Sequence, residues 1–312
     1  MPQIGPVFAQ MFPPKPKWGV EQIPDLSGKV TIVTGACGNT GVGKETVRAL
    51  LNHGAKVYIA TRNVEKSHTA IADLKKDTGK EAQFIQLDLS DLLSVKKAAE
   101  EYLSKESKLH ILFNNAGVMT PPKEELTKQG YDMQAGTNAL GHFYFTQLLL
   151  PALQAVHAES PNEKARVVFT SSSGAYVTDF HIDWFDEGPA RLKQSTDILY
   201  AHSKLANAVQ AIEFSRRYAD TIVTTAVNPG NLRTELQRNT PRVQKAVYNL
   251  VMYPPPFGAL TQLFAGTMPE AAKMNGEFLI PWARIGKWPK AAVDPENGKK
   301  LWAWMEEHTK NI

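Results

Sequence analysis

Two residues of this chain could work together as an acid and a base: Tyr200 and Lys204, which lie four positions apart. On a helix, that spacing places the phenol and the ammonium group on the same face. A free phenol has a pKa of about 10, and a nearby positive charge lowers that pKa by favouring the phenolate. The same spacing also occurs where a tyrosine is a core aromatic and a lysine is solvated. The interpretation therefore depends on the elements that position the pair.

Short β-branched runs alternate with amphipathic segments along the chain from Lys29 onward. This alternation predicts an α/β fold, a single-domain Rossmann-type doubly wound parallel sheet with helices on both faces. Ligands of such a sheet bind at the carboxyl ends of the strands. The six predicted strands are residues 30–33, 57–60, 84–87, 111–113, 166–170 and 222–227.

Glycine-rich or polar motifs directly follow four of the predicted strands. They are the turn at 34–44, Asn-Asn-Ala-Gly at 114–117, Ser-Ser-Ser at 171–173 and Asn-Pro-Gly at 228–230. We expect the motifs to converge on one site, because the carboxyl ends of parallel strands meet at one edge of the sheet.

These motifs, with Asn-Ala-Leu-Gly-His-Phe at 138–143 and Tyr-Ala-His-Ser-Lys-Leu-Ala-Asn at 200–207, make the chain resemble the classical short-chain dehydrogenase/reductase family. The resemblance extends roughly from Lys29 to Ile280 and is strongest to the retinol-dehydrogenase-type and fungal oxidoreductase-type members. It implies an enzyme that interconverts an alcohol and its aldehyde or ketone by hydride transfer with a nicotinamide cofactor.

The resemblance also implies roles for four catalytic residues. Tyr200 would be the general acid/base, and Ser172 would give the second hydrogen bond to the reacting oxygen, with Ser171 and Ser173 as alternatives. Lys204 would hold the nicotinamide ribose and lower the pKa of Tyr200. Asn138 would help to seat a water that links Lys204 to solvent.

Cofactor contacts are implied along the whole edge of the sheet, and one motif departs from the family pattern. Five residues separate Gly35 from Gly41, where the family usually has three. The favoured interpretation is a two-residue insertion, Ala36 and Cys37; the other is the Gly-x-x-Gly-x-x-Gly spacing of the extended, epimerase-type branch. The implied cofactor residues are Gly35, Asn39, Thr40, Gly41, Val42, Asp88, Leu89, Asn115, Ala116, Gly117, Tyr200, Lys204, Pro229, Gly230, Leu232 and Thr234.

Arg62 indicates which nicotinamide cofactor is used. It follows the second predicted strand, where an NAD-selective site places an acidic residue on the ribose hydroxyls. A guanidinium there suits a 2′-phosphate instead. The predicted cofactor is therefore NADP.

Two apolar segments are expected on the substrate side, at 177–199 and 235–257. The second has apolar residues at helical spacing and is predicted to form a mobile lid. Their apolar character suggests a hydrophobic small-molecule carbonyl or alcohol substrate. Two other functions stay open: an extended-type epimerase or dehydratase, and a catalytically silent NADP-sensing protein.

Composition favours one domain of this kind. The chain has 312 residues, of which 43% are hydrophobic, and its net charge is 35 − 31 = +4 without a basic block, so nucleic-acid binding is not expected. The single cysteine, Cys37, fits a reducing compartment, and no metal-ligand spacing is visible. We therefore expect a cytoplasmic protein without a membrane span. Residues 1–28 are predicted to form an extended arm before one domain at 29–312.

The sequence leaves peripheral membrane contact and the oligomeric state open. Four tryptophans lie near the C-terminal end of the chain, and their packing in the core is the favoured interpretation over contact with a lipid surface. They are Trp282, Trp288, Trp302 and Trp304.

Overall fold

The computed structural model of the protein describes residues 3–38, 41–234 and 252–312. Within these residues, one eight-stranded sheet has the order β3-β2-β1-β4-β5-β6-β7-β8. All neighbouring strands are parallel except the last pair, which is antiparallel. The strands are β1 Val30–Thr34, β2 Lys56–Thr61, β3 Gln83–Gln86, β4 Ile111–Asn114, β5 Ala165–Thr170, β6 Ile222–Val227, β7 Phe278–Ile280 and β8 Arg284–Ile285.

Helices connect the strands and cover both faces of the sheet. In the described residues they are α1 Ile4–Met11, α2 Val42–Asn52, α3 Val64–Thr78, α4 Leu92–Lys105, α5 Met133–Ala135, α6 Gly141–Leu148, α7 Leu150–Glu159, α8 Pro189–Leu192, α9 Thr196–Arg217, α10 Pro255–Thr267, α11 Lys290–Val293 and α12 Pro295–Thr309. A π-helical turn, Gly136–Leu140, joins α5 to α6. Short 3₁₀ turns lie at Val20–Gln22, Ser173–Tyr176, Ile182–Trp184 and Glu270–Lys273.

Local sequence explains where the helices that matter for the site begin and end. The α9 helix begins at an N-cap serine, Ser195, whose side chain accepts a hydrogen bond from the Ile198 N–H at 3.2 Å. Such a cap satisfies a backbone donor that the first helical turn leaves without a partner. The α3 helix begins likewise at Asn63 and ends at Gly79, which adopts the left-handed conformation at φ 70°. Caps of this kind fix the direction in which α3 and α9 leave the edge of the sheet.

The hydrophobic core divides into two layers, one on each face of the sheet. One layer contains an aromatic group of Phe143, Phe169, Phe214 and Trp302, all nearly inaccessible to solvent. The other layer packs α2, α3 and α10 against residues such as Val33 and Val168. Central strands are buried on both faces, which explains their nearly continuous apolar sequences.

The six strands predicted from the sequence are confirmed to within one residue at either end. The prediction lacked β7 and β8, because runs of three and two residues are too short to show a periodic pattern. The tryptophans pack as expected: Trp282 and Trp302 are buried, and Trp288 and Trp304 lie against the core.

The N-terminal segment differs from the predicted extended arm, since Ile4–Met11 is a helix. Pro6 lies in the first turn, where its missing N–H removes no intrahelical hydrogen bond. The inner face of this helix is held against the rest of the protein through Gln10, which is 3% exposed. That tertiary contact was invisible to local sequence reasoning. Across the residues with defined placement, no helix is both long and apolar enough to cross a membrane.

Candidate active site

A cavity of about 850 Å³ lies at the carboxyl ends of the strands. It extends from Arg62, after β2, to Ser172 and Tyr200, after β5 and on α9. The structure brings these predicted site residues together on its walls: Gly35, Gly41, Val42, Arg62, Asp88, Leu89, Asn115, Ala116, Gly117, Ser172, Tyr200, Lys204, Pro229, Gly230, Leu232 and Thr234. Asn39 and Thr40 lie outside the described residues.

Tyr200 and Ser172 form a pair of hydroxyl groups at one end of the cavity. The two side chains are hydrogen-bonded to each other, which lowers the pKa of Tyr200, but burial has the larger effect and raises it to about 12. Ser172 also accepts a hydrogen bond from the Gly174 N–H at 3.1 Å, so its hydroxyl is fixed by the turn that follows β5. Two hydroxyls held together in this way can both bond to one carbonyl oxygen.

Lys204 lies one helical turn after Tyr200 and is only 3% exposed. Its ammonium group donates a hydrogen bond to the carbonyl of Thr170 at 3.0 Å and lies 5.9 Å from the centroid of the Tyr200 ring. Burial lowers the pKa of Lys204 to about 8. Burial dominates at the phenol and raises the pKa of Tyr200 above its ordinary value, so a lowering by Lys204 stays a prediction.

Hydrogen bonds between the end of β5 and helix α9 show which of the three serines bonds to Tyr200. The hydroxyl of Ser171 donates to the Lys204 carbonyl at 2.7 Å and is therefore occupied in holding the helix. The Asn207 side chain donates to the same Thr170 carbonyl as Lys204, also at 3.0 Å. Of the serines considered, Ser172 is the one hydrogen-bonded to Tyr200.

Asn138 lies in the π-helical turn, a local geometry that often marks a functional site. Its side chain donates to the Val118 carbonyl at 3.0 Å and to the Ser203 hydroxyl at 2.9 Å. Its oxygen accepts from the Val118 N–H at 2.8 Å. Asn138 is fully buried and is not on the cavity wall. It connects the turn after β4 to α9, and a role in seating a water remains a prediction.

The turn after β1 begins as a tightly packed element. Gly35 has φ 75°, and a side chain there would come within 2.8 Å of the Ala116 backbone. Ala36 is fully buried in the core, and both interpretations of the length of this turn stay predictions. Cys37 is partly exposed and lines the cavity.

Thr34 connects this turn to the residues that follow β4. Its hydroxyl accepts hydrogen bonds from the N–H groups of Asn115 and Ala116, each at 2.9 Å. The imidazole of His142 lies between the Thr34 hydroxyl and the Asn138 carbonyl, at 2.9 Å from each. Full burial lowers the pKa of His142 to about 3, so the ring is neutral. Since a carbonyl only accepts, Nδ1 carries the proton and Nε2 accepts from Thr34.

The far end of the cavity is cationic. Arg62 and Lys66 both line it and are exposed. They flank the first turn of α3, whose N-terminus favours negative charge. Sequence reasoning identified Arg62 but not Lys66, although its position one helical turn further on was a signal. A glycine turn, close-packed backbone and two cations fit a dinucleotide with a 2′-phosphate.

The substrate-side prediction for 235–257 can be checked only at its end, because residues 235–251 lie outside the described part of the chain. Leu232 and Tyr253 form a β-bridge, and the Arg233 N–H donates to the Tyr253 carbonyl at 3.0 Å. Met252 lines the cavity. In the segment 177–199, Thr196 and Asp197 line the cavity, and both side chains are polar. The described residues contain no cluster suited to a metal ion.

Comparison with known proteins finds dehydrogenases by family model, by sequence and by structure. A family model described as short chain dehydrogenase matches residues 29–183. A short-chain dehydrogenase/reductase of Armillaria gallica is 56% identical over 312 residues, which is 100% of both chains. Retinol dehydrogenase 12 of Homo sapiens is 43% identical over 218 residues, 69% of this chain and 65% of that protein. A Shigella flexneri short chain dehydrogenase solved in complex with NADP shows the same fold, with a TM-score of 0.63 and 23% identity, covering 83% of this chain and 98% of that chain.

Proposed function

Because the chain belongs to the short-chain dehydrogenase/reductase family, we propose that it interconverts a lipophilic alcohol and its aldehyde or ketone with NADP(H). The observation that carries this proposal is the hydrogen-bonded pair of Ser172 and Tyr200, one helical turn from the buried ammonium of Lys204. All three residues line the cavity.

In the direction of reduction, the hydride is supplied by NADPH when it is bound. The carbonyl oxygen then gains negative charge and needs a proton. Tyr200, whose pKa is about 12, is protonated at neutral pH and donates its proton to the stronger base, the forming alkoxide. Ser172 holds the oxygen in place through a second hydrogen bond. In the reverse direction, the oxidation of the alcohol, Tyr200 accepts the proton and Ser172 again bonds to the reacting oxygen.

Lys204 is the group that joins catalysis to cofactor binding. Its pKa of about 8 leaves it mainly charged at neutral pH, although it is almost fully buried. The positive charge favours the negative oxygen that Tyr200 carries after it gives up its proton. We further assign Lys204 to the nicotinamide ribose and Asn138 to the positioning of the turn at residues 117–118 beside it.

NADP as the preferred cofactor is supported by Arg62 and Lys66, two exposed cations at the far end of the cavity. A 2′-phosphate placed there would gain charge-assisted hydrogen bonds from Arg62. That the Shigella flexneri protein was solved with NADP agrees with this assignment. A hydrophobic substrate is supported by the apolar side chains of Val7, Met11 and Met252 on the cavity wall.

The proposal is tested by measuring NADPH consumption with a panel of aldehydes and ketones of increasing hydrophobicity. We expect turnover that grows with hydrophobicity and is much slower with NADH. Tight NADPH binding without consumption by any carbonyl would indicate the silent sensor. Interconversion of a substrate without net NADPH use would indicate an epimerase or dehydratase.

A further inference from the structure

The N-terminal helix α1 forms part of the cavity. Val7 and Met11, four positions apart and so on one face of the helix, line the same cavity as Ser172 and Tyr200. Helix α1 precedes the first strand and lies outside the part of the chain that matches the family model, which begins at residue 29.

Backbone contacts fix the beginning of α1 beside the catalytic serine. The Gln3 N–H donates to the Tyr176 carbonyl at 2.8 Å. The Gln3 side-chain oxygen accepts a hydrogen bond from the Lys290 N–H at 2.9 Å. Tyr176 ends the 3₁₀ turn that starts directly after Ser172. The beginning of α1 is thus tied to the same turn that positions Ser172.

Gln10 fixes the end of α1 to the turn that follows β6. Its side-chain oxygen accepts a hydrogen bond from the Asn228 amide at 2.7 Å. The Asn228 oxygen in turn accepts from the Gly230 N–H at 3.0 Å, in the Asn-Pro-Gly turn on the cavity wall. Gln10 is 3% exposed and Asn228 2%, so a broken bond would leave a buried polar group without a partner. This contact gives α1 one defined position.

The two faces of α1 are different. Ile4, Phe8 and Phe12 point outward and are 64%, 61% and 57% exposed. Val7 and Met11 point inward and are partly buried. Phe8 therefore provides a control for Met11 on the same helix, since it is a large apolar side chain that is absent from the cavity wall.

We propose that Val7 and Met11 form the wall that contacts the non-reacting, apolar part of the substrate, and that Gln10 is the positioning residue that holds this wall in place. The inference rests on the proposed carbonyl chemistry at Tyr200. A flexible thioether beside a small branched side chain suits an alkyl chain or an aromatic group next to the carbonyl. Helix α1 thus selects substrates by size, whereas Ser172 and Tyr200 recognise the carbonyl itself.

The test measures binding and turnover separately, with methyl ketones from three to ten carbons. Dissociation constants are measured for each ketone with the complex of enzyme and NADP⁺, which cannot reduce it, and kcat and KM are measured with NADPH. In wild type, we expect affinity to increase with chain length. Met11→Ala should weaken binding of the longest ketone by roughly 10-fold or more and change the shortest by less than about twofold, because only a long chain reaches the wall.

Three further variants sharpen the test. Val7→Phe should exclude the longest ketones while leaving the shortest bound. Gln10→Ala should raise KM for the long ketones more than it lowers kcat for the short ones, which a general loss of stability would not do. Phe8→Ala should leave the chain-length dependence as in wild type.

The inference is overturned if Met11→Ala and Phe8→Ala change the chain-length dependence equally, or if Met11→Ala weakens short and long ketones by the same factor. It is also overturned if wild type binds all ketones alike. Failure of the proposed function looks different: the ketones would bind according to chain length, yet no NADPH would be consumed.

Discussion

The two ends of the cavity hold their positive charges in opposite ways. At the catalytic end, Lys204 is 3% exposed and is fixed by a hydrogen bond to the Thr170 carbonyl. At the far end, Arg62 and Lys66 are exposed, and within the described residues neither has an ion-pair partner. A group that takes part in proton transfer must be placed accurately, and burial with hydrogen bonds achieves this. A group that recognises a phosphate by its charge can be exposed to solvent.

The comparison predicts that removing one atom at the buried end has a larger effect than removing a whole side chain at the exposed end. Tyr200→Phe deletes only the phenol oxygen. We expect kcat for carbonyl reduction to fall by roughly 10²- to 10⁴-fold, because a general acid contributes that much. The NADPH dissociation constant, measured by fluorescence titration, should change by less than about threefold, since packing of the ring is retained.

Tyr144→Phe is a suitable control, because Tyr144 is buried but does not line the cavity. A Tyr200→Phe enzyme that retains more than a tenth of wild-type kcat would remove Tyr200 from its assigned role.

At the exposed end, Arg62→Ala should weaken NADPH binding by roughly 10- to 150-fold, the range for losing a charge-assisted hydrogen bond of about 1.5–3 kcal/mol. NADH, which lacks the 2′-phosphate, should bind both proteins alike. Lys66→Ala should also weaken NADPH binding, but by a smaller factor than Arg62→Ala. The measurement is a pair of dissociation constants for each variant by calorimetry.

Lys76→Ala gives the matched control, since Lys76 is exposed on the same helix and is absent from the cavity wall. Equal NADPH affinity in wild type and Arg62→Ala would exclude Arg62 from cofactor selection.

The buried charge of Lys204 should also affect how kcat/KM for reduction depends on pH. Burial lowers the pKa of Lys204 to about 8, so the ammonium is present below that pH and is lost above it. We expect kcat/KM for reduction to be level near pH 6–7 and to fall above about pH 8, approaching tenfold per pH unit. The Tyr200 pKa of about 12 keeps the phenol protonated across this range.

Lys204→Arg should move the descending limb to higher pH, because arginine stays charged. A limb at the same pH in both proteins would show that another group is titrating.

The last predicted effect concerns the stability of the fold. His142 and His202 are fully buried, and burial lowers the pKa of each to about 3. In the unfolded chain they take up protons near pH 6.5, so the unfolded state gains protons first and stability is lost as pH falls below that value. Each histidine should contribute about 1.4 kcal/mol per pH unit to this loss between roughly pH 6 and 4.

The measurement is urea unfolding at several pH values for wild type and His142→Gln, whose amide can donate and accept in place of the imidazole. His157→Gln is the control, because His157 is only partly buried. An unchanged pH slope in His142→Gln would contradict the neutral, buried imidazole.

The sequence could predict features that depend on local patterns, but not features that depend on how distant parts of the chain pack together. Strands β1 to β6 were predictable because each is a short apolar run, and the site motifs were predictable because each follows one of those strands. The raised pKa of Tyr200 was not, because it depends on how much protein surrounds the phenol. Whether Ala36 and Cys37 form an insertion stays a prediction, because the spacing of the glycines alone does not show which residues are added. Helix α1 was missed because its contacts, such as Gln10 with Asn228, span 218 residues.

The central claim is that this cavity transfers a hydride to a carbonyl with Tyr200 as the proton donor. It is tested most directly in a single turnover with NADPH deuterated at the transferring position of the nicotinamide. For wild type we predict one deuterium on the carbinol carbon of the alcohol product, formed within the dead time of manual mixing for a good substrate. Tyr200→Phe should bind the labelled cofactor but form labelled alcohol at least about 100-fold more slowly. Absence of deuterium from the alcohol formed by the wild-type enzyme from every carbonyl substrate would contradict the account.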